Sequence, residues 1–575
     1  MHICDLTSLS VYSRLDALQS TMSSVEHLRF LFYQMFIHEF CLDSSLSSSS
    51  LNRDAFVQLI DDYYSSNEHE MAVVREFHDE YRASERCFTW FTRPCFVRRI
   101  LTHSLLALDI PTLLAMRFFI NDMFKAMISQ TSASTNKPYS YSNGSNRFLN
   151  GRSSGEQLVY HGQALAKETF MKIKLNIGQN SLASNVIVSF IASVLLGEIM
   201  SMNNFLLATR NRQDPLKLLR EHIPSSELVY RVLFEIKIPS DYSLQKQRPF
   251  VDLSSLSYSN KATDEHLETF SVLFFIGSIF RINTTVFDIN NNCWIVQLTL
   301  YDEGSNQDFA QLFTFLNDTQ RSTSEKTTIL ANLLRQISPN SAEQLYEYFL
   351  GDHSGSLNKL ECYRGLGLCS YSRDDYDQAL TYFEKALHLR PKDEQTRSSL
   401  HNSIGLVYAR QAQSDEALTH FSKALEISSL PLHLACVHHN LALVYSQKEH
   451  HEKELDHYEE ALQIRSRQYP GQHLQVASLH NNIGIAYADL QQYDQALSNL
   501  RKGLEMRLKL LSDSHLDVAR SYANIGTVYA KTKELRMALE YFKKAQVLLE
   551  KQAQTPQEDM DQLQGNLKII NDKLR

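Results

Sequence analysis

The chain has 575 residues and a formal net charge of -8, from 57 Lys and Arg against 65 Asp and Glu. Hydrophobic residues at 43% and charged residues at 21% are the balance of a folded protein, which excludes a chain disordered throughout, and 18 Gly exclude a collagen-like one. The acidic balance lacks the basic footprint of a dedicated nucleic-acid binder, so no nucleic-acid partner is expected.

At roughly 150 residues per domain the length implies two to four domains. Aromatic content is uneven, with 27 Tyr and 30 Phe but 2 Trp. The first twenty residues carry Asp5, Arg14 and Asp16 and lack the uninterrupted apolar core of a secretory signal. The eight cysteines show no C-x-x-C pair, so no metal site is expected, and they read as reduced, mostly buried thiols. The most apolar run, 270–280, stops at Arg281 and is too short to span a bilayer. A soluble cytoplasmic protein with no membrane partner is therefore expected.

Residues 1–70 read as a helical segment, with an apolar face over 24–42, followed by the Ser-rich loop 44–50. Residues 71–316 read as one α+β domain. Its helices fall over 94–129, with Pro94 at a first helical position and Pro111 opening a second helix. The Ser-, Thr-, Asn- and Gly-rich tract 131–156 reads as a loop. Strands rich in β-branched and aromatic residues follow: LVYHG, VLFEIKI, SVLFFIGSIFRI and CWIVQLTLY. Residues 317–354 read as a junction, polar over 317–328, with a weak repeat copy at 341–350.

Residues 355–554 repeat themselves. Gly367, Gly405, Ala442, Gly484 and Gly526 align, at spacings of 38, 37, 42 and 42 residues. Three residues later stand Ser370, Tyr408, Tyr445, Tyr487 and Tyr529; twelve later, Ala379, Ala417, Glu454, Ala496 and Ala538. Sixteen later stand Phe383, Phe421, Tyr458, Leu500 and Phe542; nineteen later, Ala386, Ala424, Ala461, Gly503 and Ala545. Small residues allow two helices to cross closely, and a large side chain fills the gap beside them. Each helix pair buries its face only against its neighbours, so the pairs stack into an all-α solenoid. The pattern resembles the tetratricopeptide repeat, and the 42-residue spacing resembles its kinesin-light-chain form. Residues 555–575 read as a polar capping helix.

The first helices of such a solenoid line a concave groove suited to a protein or peptide ligand. Asn440, Asn482 and Asn524 stand two residues before the aligned small residue, and Asn402 lies beside the same place in repeat two. Each amide offers a donor and an acceptor to a peptide backbone. The competing reading is that these amides only join neighbouring helices. Arg520 and His439 are expected beside the groove. The remaining histidines (His401, His438, His450, His451, His457) read as scattered surface residues.

The first half, from about Ser24 to Leu316, resembles the mono-ADP-ribosyltransferase family with arginine-specific members, in its form fused to tetratricopeptide repeats. The resemblance is carried by residues 87–124, LVYHGQALAKE (158–168), FLLATRNRQ (205–213), VLFEIKI (232–238), PFVDLSSLS (249–257), VLFFIGSIFRI (272–282) and CWIVQLTL (293–300). It implies an α+β ADP-ribosyltransferase-like fold with NAD as cofactor. In that family a Tyr-Arg-Gly arginine grips the cofactor phosphates, a Ser-Thr-Ser strand positions the nicotinamide ribose, and a Glu-x-Glu stabilises the cationic sugar and orients the acceptor guanidinium.

This sequence departs at each place. The arginine is His161, beside Gly162. The second motif is Leu207-Ala208-Thr209, followed by Arg210-Asn211. The third is Thr269-Phe270-Ser271, without either carboxylate. His161, Gly162 and Thr209 remain the cofactor-facing positions, and Glu265 or Glu268 could substitute only along a different local path. Loss of a carboxylate facing a cationic transition state removes several kcal/mol inside a site. The expectation is an interaction scaffold with a degenerate transferase-like domain that requires no cofactor while leaving NAD binding open. The alternative is an active NAD-dependent protein-arginine ADP-ribosyltransferase whose repeats recruit the target.

Overall fold

The computed structural model describes residues 32, 36, 53–54, 56–60, 67–81, 86–93, 95–133, 157–167, 170, 193–196, 199–202, 204–223, 229–239, 250–253, 271–301, 323–351, 358–469, 471, 473–511, 515–550 and 557–574. Two compact units emerge, one holding Phe349–Arg575, the other Ser24–Asn180 and Ile187–Tyr348.

The second of these units begins with helices. They are α1 (Glu68–Glu80), α2 (Cys87–Thr92), α3 (Phe96–Ala107), α4 (Ile110–Ala115) and α5 (Arg117–Ala133). Asn67 caps α1 through the Glu70 amide, and Pro111 stands in the first turn of α4, where its missing N–H leaves no helix bond unmade. Much of the aromatic surplus lies here. Phe77 meets Tyr81, Trp90 and Phe96 at ring distances of 4.8, 5.0 and 5.7 Å. Of the helix expected over 24–42, Phe32 and Phe36 are described; both are helical, buried and stacked at 5.6 Å. Pro94 lies outside the described residues.

Nine strands follow: β1 (Gln157–Ala166), β2 (Ser193–Leu196), β3 (Ile199–Met202), β4 (Leu206–Ala208), β5 (Val229–Ile238), β6 (Phe250–Asp252), β7 (Val272–Phe274), β8 (Ser278–Asp288) and β9 (Cys293–Leu300). One six-stranded sheet has the order β1-β5-β9-β8-β3-β2, and a three-stranded sheet the order β4-β7-β6. Helix α6 (Gln213–His222) sits between β4 and β5 in the chain and packs on β1 and β5. Side chains alternate between the faces. Val159, Phe234, Ile236, Val296 and Leu298 enter one core, while Leu233 and Cys293 meet Leu216 and Leu219 of α6 on the other face. Gly277, with φ 79, makes the turn between β7 and β8 that a side chain would strain.

The junction differs from its expected form. Helix α7 (Thr323–Ile337) begins within the polar tract 317–328, and α8 (Pro339–Gly351) covers the weak repeat copy. The part of the polar run from Thr323 on is helical, and Thr327, Ile329 and Leu330 of that helix are buried.

The solenoid consists of five helix pairs: α9 (Lys359–Ser372) with α10 (Tyr376–His388), α11 (Glu394–Arg410) with α12 (Ser414–Ile427), α13 (Pro431–Gln447) with α14 (His451–Gln468), α15 (Leu474–Asp489) with α16 (Tyr493–Leu510), and α17 (Leu516–Lys531) with α18 (Leu535–Glu550). Each second helix also packs on the first helix of the next pair. Within each pair the chain reverses through a non-glycine residue of positive φ: Asp374, Ala412, Glu449, Gln491 or Lys533. A final helix, α19 (Gln557–Leu574), packs on α18 and adds Leu563 and Ile570 to the last core.

Cys87, Cys95, Cys293, Cys362 and Cys369 are buried free thiols. No helix among the described residues is long and apolar enough to cross a membrane.

Candidate functional site

The three positions marked by the transferase resemblance lie far apart in sequence, and the strands bring them together. Tyr160 and Thr209 exchange both backbone hydrogen bonds, at 2.7 and 2.9 Å, which lays the end of β4 against β1. Beside it Leu207 pairs with Leu273 and Ala208 with Val272, and the Ser271 amide donates to the Ala208 carbonyl at 3.0 Å. Gly162 is closely packed, since a Cβ there would stand 3.0 Å from Pro215 at the start of α6.

The side chains at this junction are engaged with the protein. His161 Nδ1 lies 2.8 Å from the Leu207 carbonyl, so the proton sits on Nδ1, and Nε2 stands 3.4 Å from Gln163 Oε1. The ring stacks on Phe234 at 6.3 Å, and burial lowers its pKa from the ordinary histidine value. A neutral imidazole held this way offers no cation to a phosphate. Thr209 is buried; its hydroxyl donates to Asp214 at 3.3 Å and accepts from the Asn211 amide at 3.1 Å. Ser271 Oγ accepts from the Arg210 amide at 3.0 Å. Leu207 and Ala208 present no functional group. Thr269, Glu265 and Glu268 lie outside the described residues. At this junction His161 stands where the resemblance implies an arginine and Ser271 where it implies a carboxylate, while Asp214 is a carboxylate held there by the Thr209 hydroxyl.

One charged cluster nearby was not anticipated from sequence. Arg212 Nε donates to Glu235 at 3.0 Å and approaches Asp288 at 3.8 Å, and Gln297 donates to Glu235 at 3.1 Å. Hydrogen bonds from Asn291 lead the causes that hold Asp288 below the usual carboxylate range. Strand alternation turns Glu235 away from His161 but leaves it on the face of Tyr160 and its bridge partner Thr209. Glu235 pairs with Tyr160, whereas His161 pairs with Phe234 on the opposite face. The alternation in VLFEIKI was the available signal.

In the solenoid the aligned small residues are sites of close crossing. A Cβ added at Gly367, Gly405 or Gly526 would stand 2.6, 2.7 or 2.8 Å from the ring of Phe383, Phe421 or Phe542. The residues expected in the groove divide into two kinds. Asn402 and Asn440 are buried, and Asn440 Nδ2 donates to Asn402 Oδ1 at 2.9 Å across neighbouring repeats. Asn524 Nδ2 donates likewise to Asn481 Oδ1 at 3.0 Å, and Asn482 bonds the Tyr458 hydroxyl. For Asn402 and Asn440 the geometry therefore favours the stack-joining reading, since no peptide reaches a buried amide. Asn482 and Asn524 remain half-buried. Three residues after them stand Ile485, 36% exposed, and Thr527, half-buried; that spacing places each pair on one helix face.

Arg520 is committed to the terminal helix, donating to Asp559 at 2.8 Å. His439 is buried edge-on against Tyr458 at 5.4 Å. The expectation of scattered surface histidines is corrected for most of them. His401 meets His420 and His438 meets His457, each pair half-buried between the two helices of one repeat. His450 alone of that group is exposed.

Glu454 occupies the place where the other four repeats carry Ala. It is 2% exposed and accepts from His451 Nδ1 at 2.9 Å and from Ser446. Burial raises its pKa, with Asp489 adding in the same direction. A carboxyl whose folded pKa is raised loses stability as pH rises. Glu454→Ala should therefore raise stability by roughly 1 kcal/mol at pH 8 and by less at pH 5. Thermal melts at the two pH values check this; a variant less stable at pH 8 would contradict it.

Comparison with known proteins agrees with the repeat reading. The tetratricopeptide repeat family matches residues 395–467 and 475–551, and a single-repeat form matches 360–393. Residues 360–551 are tetratricopeptide repeats. Similar solved structures include BtubC (BKLC) from P. vanneervenii, at 22% identity over 39% of this chain and 88% of that one, with TM-score 0.31. A thermophilic TPR protein of Thermus thermophilus matches at 21% identity over 36% and 98%, with TM-score 0.28. The TPR-like repeats of a putative kinesin light chain of Podosopora anserina match at 16% identity over 33% and 94%, with TM-score 0.31. No curated protein matches the chain.

Proposed function

We propose that this chain is a cytoplasmic protein-interaction scaffold whose tetratricopeptide repeats hold a protein or peptide along the face of their first helices. The N-terminal α+β domain is read as a degenerate mono-ADP-ribosyltransferase-like domain that serves as a second docking surface. The observation that carries the first part is the strip of Asn482, Ile485, Asn524 and Thr527, which sets half-buried polar side chains beside the exposed apolar Ile485 on two successive first helices. Support for the second part comes from the junction, where His161, Thr209 and Ser271 meet as neutral groups already hydrogen-bonded within the protein.

One experiment addresses both parts. The full chain is used as bait, and captured proteins are compared quantitatively with those of Ile485→Glu. Each captured partner is then offered labelled NAD. A partner lost at least tenfold by Ile485→Glu, and left unlabelled by the wild type, is the expected result. Equal capture by the variant removes the groove reading. Hydroxylamine-labile label on the partner removes the degenerate reading and restores the enzyme.

A further inference from the structure

Fifteen residues after each aligned small residue, and four before it, stand side chains that meet between the two helices of a repeat. In order the pairs are Tyr363 with Tyr382, His401 with His420, His438 with His457, His480 with Asn499, and Tyr522 with Tyr541. The central three form a ladder of five imidazoles and one amide over consecutive repeats. In the two all-histidine rungs the Nδ1 atoms face each other, at 3.2 Å for His401–His420 and 3.0 Å for His438–His457. All four residues are half-buried, and the helices fix their positions.

Two neutral imidazoles share one N–H···N bond when alone. The same spacing suits a chelate. With metal–nitrogen bonds of about 2.0–2.1 Å, a tetrahedral ion sets its two nitrogens about 3.3 Å apart, and a cis right-angle pair sets them about 2.9 Å apart. Both rungs fall inside that window. We propose that the His401–His420 and His438–His457 rungs are two open divalent transition-metal sites, each gripping Zn2+ or Ni2+ through paired Nδ1 atoms.

One ring of each pair moves its proton from Nδ1 to Nε2 on binding, so at neutral pH no proton is released. Burial and the absence of a carboxylate bonded to the rings keep these imidazoles neutral, the form that ligates. Among the described residues no group of three or more His, Cys, Asp and Glu gathers, so water completes each shell and the ions exchange readily. The surroundings rank the two rungs. Lys423 and Arg397 face His401, with Lys423 also beside His420, whereas Asp456 and Glu460 face the His438–His457 rung opposite Lys453. The latter rung binds the cation more tightly.

Repeat four supplies the variant that keeps the fold. There His480 Nδ1 meets Asn499 Oδ1 at 2.9 Å, so a His–Asn rung is already part of the solenoid. Full-length wild type, His420→Asn/His457→Asn and Asn499→His are titrated calorimetrically with NiCl2 and with ZnCl2 at pH 7.5 in a non-coordinating buffer. Melting temperatures without metal verify that the variants fold. The double variant should lose two bound ions per chain relative to wild type, and Asn499→His should gain one. Equal stoichiometry in wild type and the double variant, or no binding by wild type at millimolar metal, overturns the proposal.

Discussion

Phe421→Ala should destabilise the solenoid by about 3–5 kcal/mol, the range for removing a fully buried phenylalanine from a packed core. The ring is 0% exposed and fills the space over Gly405, where a Cβ would lie 2.7 Å from it. Ala417, Ala424, Cys436, Val437 and Leu441 close around it, and the last three belong to the next repeat. The cavity therefore opens across a repeat interface, and in a nearest-neighbour array both the repeat and its coupling weaken. Guanidinium unfolding followed by helical circular dichroism should show an earlier transition for part of the helix signal. Phe421→Leu is the control. Repeat four carries Leu500 opposite Gly484, with a Cβ clearance of 2.7 Å, so leucine fills the same gap and most of the loss should be recovered. An alanine variant within about 1 kcal/mol of wild type would mean that the interface collapses onto the cavity.

The second large effect is acid sensitivity. His433 is 2% exposed and lies 3.4 and 3.5 Å from the hydroxyls of Ser428 and Ser398; burial, with help from Arg364, lowers its pKa to about 4. His420 is lowered to about 4 as well, by burial first and then by His401 and Lys423. Burial also lowers His473, whose Nδ1 accepts the Gln475 amide at the start of α15, a bond that only the neutral ring can accept. The folded state thus binds protons less readily than the unfolded chain, whose histidines titrate near 6.5. Stability is full above about pH 6.5 and falls as pH drops toward 4. For a group as buried as His433, this amounts to about 2 kcal/mol lost between pH 7.5 and 5. Glu454, with its raised pKa, opposes the trend with a gain on acidification. Denaturant melts of wild type and His433→Gln at the two pH values check the prediction: the variant should show the shallower pH dependence. Equal slopes would mean that His433 is solvated in the native state.

The repeat architecture was legible because its signal is steric and periodic. Gly405 with Phe421, or Gly526 with Phe542, can recur at fixed spacing only if the same helix crossing recurs. The partners of the polar residues were not legible. An Asn two residues before Gly484 reads the same whether it faces a ligand or a Tyr458 on the preceding repeat. His420 and His457 share the register fifteen residues after the small residue, yet neither has a neighbour in sequence that names its partner. Helix α7 was hidden by its own first turn, since TSEK resembles a linker until Thr327 and Ile329 are seen to be buried. In the α+β domain the strands VLFEIKI and CWIVQLTL announced themselves by their β-branched and aromatic residues. The meeting of His161, Thr209 and Ser271 needs β1, β4 and β7 to be neighbours, which no local pattern encodes.

The five left-handed turns carry a consequence for how such a chain can change length. Asp374, Ala412, Glu449, Gln491 and Lys533 all stand seven residues after the aligned small residue, and none is glycine. After each, the next amide returns to the carbonyl five residues back, as Gln413 does to Tyr408 and Gln492 to Tyr487. Every repeat thus leaves its turn in the same direction, whatever side chain occupies it. Removing residues 405–441 would join Ile404 directly to Ala442, and the chain would continue from one equivalent register into another. The array can be shortened or extended by whole repeats while each surviving hinge stays as it was, so the span offered to a partner can be altered by duplication or loss without redesigning a core.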